Sequence, residues 1–501
     1  MIFFKLALSG LLSLTLVTTL LAQQQASYTL VVYNVENLFD ADGVAVFDDY
    51  KPDVYTPSHV FTKINNMVDL MLMYNSGKGP DVLVLSEVES DHTQPQSGNT
   101  YNQHDFLNVY SHTSLSEMLG NGFNEEIKDL PSELLLLKGF YDAGVTDYQV
   151  ISAYDPLNNG KPTHVQKNVI LTRLPVQSEK TRSHSLLDAR PILEVWLDVE
   201  GHDLVVFANH WKSRASDAEI EKVRVQNATV LRNRIDNILA ENPNADFILG
   251  GDFNSDYNQS YRYPYMEVTG VNDVLKSVGD ERVVAHHSNG EVYNLWYEYD
   301  ITRRGSDTFR GYWGTLMQIM ISPGLYDKSG VSYIDNSFDV LSIPGVNVYA
   351  YSGAPIRWSS AGEGYGYSDH LPISMRFTVN ETHDVTQKIE LDNPSLNDDR
   401  LWNPIPVRVT IPTQGQYLIT SQIQESLQSM TYFDQLFLVV GTITQRGKIV
   451  VNSEIYDLYS PVFDARETYS EVGKSVRLFG RLGLFRGNWQ FVIDSEDFIL
   501  D

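Results

Sequence analysis

Five apolar runs in this chain end in, or begin from, polar groups able to handle a proton, a phosphate or a metal ion. "YTLVVY" leads into Asn34, Glu36 and Asn37, and "DVLVLS" leads to Glu87. "DLVVFA" delivers Asn209 and His210, followed by Lys212 and Arg214. "DFILGG" delivers Asp252 and Asn254, and "LPISM" is entered through Ser368, Asp369 and His370. Any one of these is explained by a turn, a cap or a half-buried histidine. Five together point to strand ends that converge on one place. Carboxylates gathered without arginine partners repel one another, and a bound cation relieves that. The donors are hard oxygens and the chain has no cysteine, so Mg²⁺, Mn²⁺ or Ca²⁺ suits them better than zinc.

The elements that must position these groups alternate between short apolar strands and helical or polar stretches, from about Tyr28 to Val379. Strands are expected over 28–33, 81–86, 168–174, 192–199, 203–209, 246–250, 316–322 and 371–379. The clearest helix follows Ser216 or Asp217 as a cap, with Ile220, Val223, Leu231, Ile235 and Ile238 forming an apolar stripe. His286 and His287 read as loop residues, because neighbours on an extended chain face opposite ways. This is an α+β body whose sheet faces need cover.

"YNVENLFD", "DVLVLSEVE", "FANHWKSR", "ILGGDFNSD" and "GYSDHLPISM" resemble, in order, the successive motifs of the endonuclease/exonuclease/phosphatase family, the DNase I-like phosphodiesterases. The "NHWKSR" form resembles the secreted bacterial branch. The resemblance spans about 28–380 and implies a four-layer α/β/β/α sandwich. It implies Glu87 as principal metal ligand, with Asn34, Glu36 and Asp369 helping to hold Mg²⁺ (or Mn²⁺, with Ca²⁺ possible). Asp252 would orient or deprotonate the attacking water and Asn254 would hold phosphate and aspartate in place. His210 and His370 would flank the scissile phosphate, and Asn168 would position substrate. Lys212 and Arg214 could neutralise neighbouring phosphates.

One motif departs from the family. Met317, in "WGTLMQIMIS", stands where an aspartate supporting the final histidine is expected. A thioether cannot hold imidazolium, so His370 is expected to lose its orienting carboxylate and the accompanying rise in pKa. Gln318 faces the other side of the strand, and Asp307 or Asp335 could reach in from a loop.

After Val379 a polar stretch, 381–400, reads as a linker. Glycine-punctuated strands over 401–501 then suggest a small β-barrel, resembling the OB-folds of extracellular nucleases. Lys474, Arg477, Arg481 and Arg486, interleaved with Phe479, Phe485 and Trp489, could track a phosphate backbone or simply decorate a barrel.

The chain has 501 residues, enough for two or three domains, and a net charge of −27 that argues against a general nucleic-acid coat. Residues 1–22, with Lys5 before the apolar run from Leu6 to Leu21, resemble a secretory signal. The expectation is an exported protein, extracellular or periplasmic, with no stable membrane association once the signal is removed. Its leading reading is a divalent-metal nuclease acting on DNA or RNA. The alternatives are a phospholipid (sphingomyelinase-like) or phosphate-ester hydrolase, and a catalytically silent binding protein with Met317 as its sign.

Overall fold

The computed structural model describes residues 26–93, 101–186, 188–287, 289–380, 382, 384–396 and 405–500. The signal-like start, 1–22, lies outside the described residues.

Two seven-stranded sheets carry the site. In the first, the strand Ser27–Leu38 lies between Ile373–Asn380, antiparallel to it, and Val82–Glu89, parallel to it. Gln166–Thr172 follows on the far side of Val82–Glu89. In the second, Phe247–Asp252 lies between His202–His210, parallel, and Met317–Ile321, antiparallel. Every expected strand is present, displaced at its ends by no more than a few residues.

The alternating side chains divide the core. Leu30, Val32, Val84 and Ile170 of the first sheet share one buried cluster with Val206, Ile248 and Ile319 of the second. Val31, Leu83 and Leu85, on the opposite pleat of the first sheet, pack with the helices Pro57–Met71 and Ser132–Asp142. Val205, Phe207 and Leu249 pack with the long helix Ala218–Glu241. Asp217 caps that helix, its carboxylate accepting from the backbone N–H of Glu219 and Ile220. Leu231, Ile235 and Ile238 are buried, each contributing about 1.5–3 kcal/mol. Ile220 and Val223 are only half-buried. The inward positions of the first turns are instead Glu221 and Arg224, a buried ion pair at 2.6 Å. Arg224 also donates to the carbonyls of Lys212, Arg214 and Ala215, so the helix holds the loop after His210.

The pair His286–His287 is not in a loop. It ends a helix, Glu281–His287, in which Val284 and Ala285 are buried against the inter-sheet core. Burial of this adjacent apolar pair outweighs the polar flank.

The described part of 384–396 runs along the first body. Ile389 donates its N–H to the Tyr326 carbonyl, and Asp392 to the Asp335 carboxylate. Beyond it, five strands between Leu436 and Val492 close on themselves, Leu436–Gln445 pairing with both Lys448–Val451 and Ser475–Phe485. Phe437, Ile449, Tyr456, Leu478 and Phe491 fill this barrel. No helix among the described residues is long and apolar enough to cross a membrane.

Candidate active site

The two glycines before Asp252 bring the sheets together. A Cβ at Gly250 would lie 2.9 Å from Val32 on the facing sheet. Gly251 has φ of 146° and a Cβ there would lie 2.0 Å from the Asn209 carbonyl oxygen, so only glycine fits. The strand therefore ends against its neighbour with Asp252 directed between the sheets.

Opposite it, the first sheet is locally irregular. Between Leu85 and Val88 the register with Gln166–Thr172 shifts, leaving Ser86 and Glu87 opposite Asn168 alone. This is a bulge, with φ of 65° at Glu87. The neighbouring strand carries positive φ at Glu36 (48°) as well. Such backbone conformations are costly for side-chain-bearing residues and collect at functional sites.

Asn34 joins the sheets. Its amide nitrogen donates to Glu87 Oε1 at 3.1 Å and to Asp252 Oδ2 at 3.0 Å, while its oxygen accepts the Glu36 N–H. His210 Nε2 lies 3.8 Å from both Glu87 Oε1 and Asp252 Oδ2. His370 Nε2 lies 3.8 Å from Asp252 Oδ2 and from Asp369 Oδ1. Nδ1 of each histidine is buried without a hydrogen-bond partner among the described residues. Ser368 places the last strand by donating to the Asn34 carbonyl at 2.7 Å and accepting the His370 N–H. Asn254 supports from beneath, its backbone N–H to Asp252 Oδ1 at 2.8 Å and its side chain to the Trp211 carbonyl.

Glu36 is drawn aside. Arg357 donates to its Oε1 at 3.0 and 2.7 Å, and Trp358 donates its backbone N–H to Oε2. Arg357 also reaches Asp369 at 3.5 Å. The expected metal residues thus form two groups: Glu87 with Asn34 at the centre, and Glu36 with Asp369 around an arginine. Asn168 is buried behind Glu87, donating to the Pro191 carbonyl with its own Oδ1 unpartnered. Lys212 lines a cavity of about 240 Å³ together with Gln166 and Arg190. Arg214 does not join this group: its side chain is 73% exposed and lies 3.7 Å from Asp217.

Two site residues carried no sequence signal. Arg190 precedes the strand Ile192–Val199, donates to Gln166 and the Trp211 carbonyl, and faces Glu87 and Asp252 electrostatically. Arg357 comes from an irregular segment. A third, Asp307, was one of two loop acids between which the sequence could not choose. It lies on the hairpin of Asp307–Phe309 and Tyr312–Gly314, and its backbone bridges to His370.

The expectation drawn from Met317 holds for the orienting hydrogen bond, since His370 Nδ1 meets no carboxylate among the described residues, and fails for the pKa, to which Asp369, Asp252 and then Asp307 lend charge. Met317 is fully buried between the sheets, opposite Asp252 in register, and its carbonyl accepts from the Trp296 indole. Gln318 faces away, bonded to Asn294 and the Ser255 carbonyl. Asp335 lies elsewhere, beside Glu281 and Glu298. His370 nevertheless keeps its raised pKa. Burial opposes the charge, but Asp369, Asp252, Asp307 and Glu87 outweigh it and lift the imidazole to about 9. His210 goes the other way: burial, then Arg190 and His370, push it well below its ordinary value. The site therefore holds one imidazolium and one neutral imidazole. Burial, reinforced by Asp369, lifts Glu87 to about 7, and burial raises Asp252 as well.

One ligand atom each from Glu87, His210 and Asp252 lies within 4.8 Å of the others. A half-buried acid, Glu87, and a buried one, Asp252, neither with a full ion pair and with an imidazole beside them, make a donor set that fits a hard divalent cation.

Fold and site together define an α/β protein with an acid–imidazole centre between two sheets. Residues 172–378 match the model of the Endonuclease/Exonuclease/phosphatase family, which supports that family for this part of the chain. Its members are generally phosphodiesterase or nuclease hydrolases and typically depend on divalent metal. Among solved structures it is similar to an endonuclease/exonuclease/phosphatase family protein from Bacteroides thetaiotaomicron, at 14% identity over 72% of this chain and 98% of that one, TM-score 0.40. It is also similar to truncated Caenorhabditis elegans TDP2 (14%, 70% and 98%, TM-score 0.36). A third likeness is to D. rerio TDP2 complexed with single strand DNA product (12%, 71% and 100%, TM-score 0.37). No curated protein matches the chain.

Proposed function

We propose that this protein is an exported, divalent-metal-dependent phosphodiesterase that hydrolyses nucleic acid. The observation that carries the reading is the meeting of Glu87, His210 and Asp252 from three strands, with Arg190 facing them. Asp252 takes the proton of a water attacking phosphorus. The bond from phosphorus to the departing oxygen breaks, and His370, charged at neutral pH, gives that oxygen its proton. Neutral His210 and the Asn34 amide donate to phosphate oxygens or hold the acids in place, and Arg190 and Lys212 offer charge to the adjoining phosphate. Glu87, with Asp252 beside it, would hold Mg²⁺ or Mn²⁺, which would supply neutralisation of charge on the equatorial oxygens.

Helix clusters on the outer faces of both sheets support the four-layer α/β/β/α arrangement. The closed five-strand topology supports an OB-like reading of the C-terminal part. Its exposed Lys474, Arg486 and Phe485 could meet nucleic acid, whereas Arg481 turns inward to Asp434 and Asp494 and Phe479 is buried. For a lipid substrate, an exposed aromatic hairpin would be needed. The one carrying Phe309 has its tip, Gly311, packed on Val462 of the barrel and bonded to Val407, which favours nucleic acid over a membrane surface. The charge Asp307 lends to His370 favours an enzyme over a silent binder.

The test is hydrolysis of plasmid DNA, RNA and sphingomyelin with Mg²⁺, Mn²⁺ or EDTA, beside His210→Ala. Cation-dependent cleavage of DNA or RNA, lost in the variant, is expected. Cleavage of sphingomyelin alone, or of nucleic acid equally well in EDTA, overturns the reading. Export is tested by recovering the processed chain, starting near residue 23, outside the cytoplasm.

A further inference from the structure

A second set of acids lies past the ends of the two strands that carry Asn34 and Glu87. The first strand continues into Asp40-Ala41-Asp42-Gly43, and the second ends at Glu89, followed by Ser90 and Asp91. Asp40, Asp42, Glu89 and Asp91 are 4%, 7%, 5% and 1% exposed. Their hydrogen bonds form an ordered loop. Asp40 donates its N–H to Glu89 Oε2, Asp42 to Asp40 Oδ1, and Val44 to Asp42 Oδ1. Thr93 donates both N–H and hydroxyl to Asp91 Oδ1.

These bonds leave Oδ2 of Asp40 and Oδ2 of Asp91 buried with no hydrogen-bond partner among the described residues. One carboxylate oxygen each from Asp40, Asp42 and Asp91 lies within 4.8 Å of the others. Positive charge is scarce. Lys167 faces Glu89 and Asp91 but is ion-paired with Glu133 at 2.8 Å. His92, pushed below its ordinary value by burial and by Lys161, adds no charge at neutral pH. Desolvated carboxylates at this spacing need either protons or a cation. The donors are all oxygen, which suits a hard ion. The three oxygens lie within 4.8 Å of one another, and a cage of protein carboxylates suits Ca²⁺, which takes about six to eight oxygens, better than Mg²⁺, which keeps several of its waters.

We propose that Asp40, Asp42 and Asp91, with Glu89 ordering the loop, form a structural Ca²⁺ site separate from the hydrolytic centre. The ion ties together the two strand ends that leave regular register at Glu36 and Glu87. It is a positioning site, and it stands or falls independently of the hydrolytic reading.

The test uses the full chain stripped with EGTA, in wild-type and Glu87→Gln forms, titrated with CaCl₂ by calorimetry and followed by thermal unfolding. Terbium luminescence sensitised by tyrosine gives a second readout, since Tyr55 faces Asp40 and Glu89. A tight Ca²⁺ equivalent that raises the unfolding midpoint in both forms is expected, as is binding weakened at least about tenfold by Asp91→Asn in the Glu87→Gln background. Asp42→Asn is the second variant should Asp91→Asn fail to fold. Ca²⁺ binding abolished by Glu87→Gln and untouched by Asp91→Asn or Asp42→Asn overturns the proposal. So does a chain that ignores Ca²⁺ and instead gains stability as pH falls below 6, the signature of shared protons.

Discussion

The centre around Glu87 and the nest around Arg481 both bury several charges, and they resolve the cost in opposite ways. Arg481 donates to Asp434 at 2.6 Å and to Asp494 at 3.4 Å, and stacks over the Tyr349 ring at 4.6 Å. Tyr349 and Tyr351 donate to the same two acids. Every charge there has a partner, and the tyrosines belong to the first body while the arginine belongs to the barrel. The nest is a joint. Around Glu87 the acids meet amides, imidazoles and a half-buried arginine, Arg190, whose own hydrogen bonds go elsewhere. Satisfied charge holds parts together; charge left in excess marks a place for something else to bind.

Breaking each side separately sharpens that contrast. Glu87→Gln should lower turnover at least about 10³-fold, while the cation-free protein unfolds at the same urea concentration or a higher one, because an unfavourable buried charge has gone. A large loss of cation-free stability would mean Glu87 is structural. Arg481→Met should do the reverse: about 3–5 kcal/mol of stability lost in urea unfolding, with activity per folded molecule retained, since Asp434 and Asp494 are left facing each other.

A smaller effect follows from pH. Glu87 has its folded pKa raised to about 7, above the usual carboxylate value, so its ionised form is disfavoured in the folded chain. Its contribution is complete below about pH 4.5 and is lost as pH rises through 7. Chelated protein should therefore be less stable at pH 8 than at pH 5.5, by about 2 kcal/mol, and added Mn²⁺ should stabilise it more at the higher pH. Equal stabilisation at both would contradict the assignment. The smallest effect expected is that of Asp307→Asn, about tenfold in rate, with the alkaline limb of the pH profile moved downward as His370 loses part of its support. Met317→Asp should bring no gain in rate, since Asp307 already supplies the charge.

The strand-end acids and histidines were legible because each follows an apolar run whose period fixes where the strand stops. The pairing of sheets then brings them together. Arg190 and Arg357 were not, and Asp307 could not be told from Asp335, because each arrives from a turn or an irregular stretch, where no period ties a residue to a face. Arg481 misled for a related reason. Within a strand it reads as one more outward cation, and Asp434 and Asp494, both outside that strand, turn it inward. The helix Ala218–Glu241 was legible from its cap and its C-terminal stripe, but the inward face of its first turns is an ion pair, which hydrophobic periodicity does not register. The bulge at Glu87 has no compositional mark, as it is imposed by pairing with Gln166–Thr172.

The most direct measurement is a crystal structure after a Mn²⁺ soak, with anomalous data collected on the wild-type chain and on Glu87→Gln. One strong anomalous peak is expected within coordination distance of Glu87, on the Asp252 side of Asn34, and none in the variant. A wild-type map with no density there, or a peak that persists unchanged in the variant, would contradict a cation-assisted centre between the two sheets.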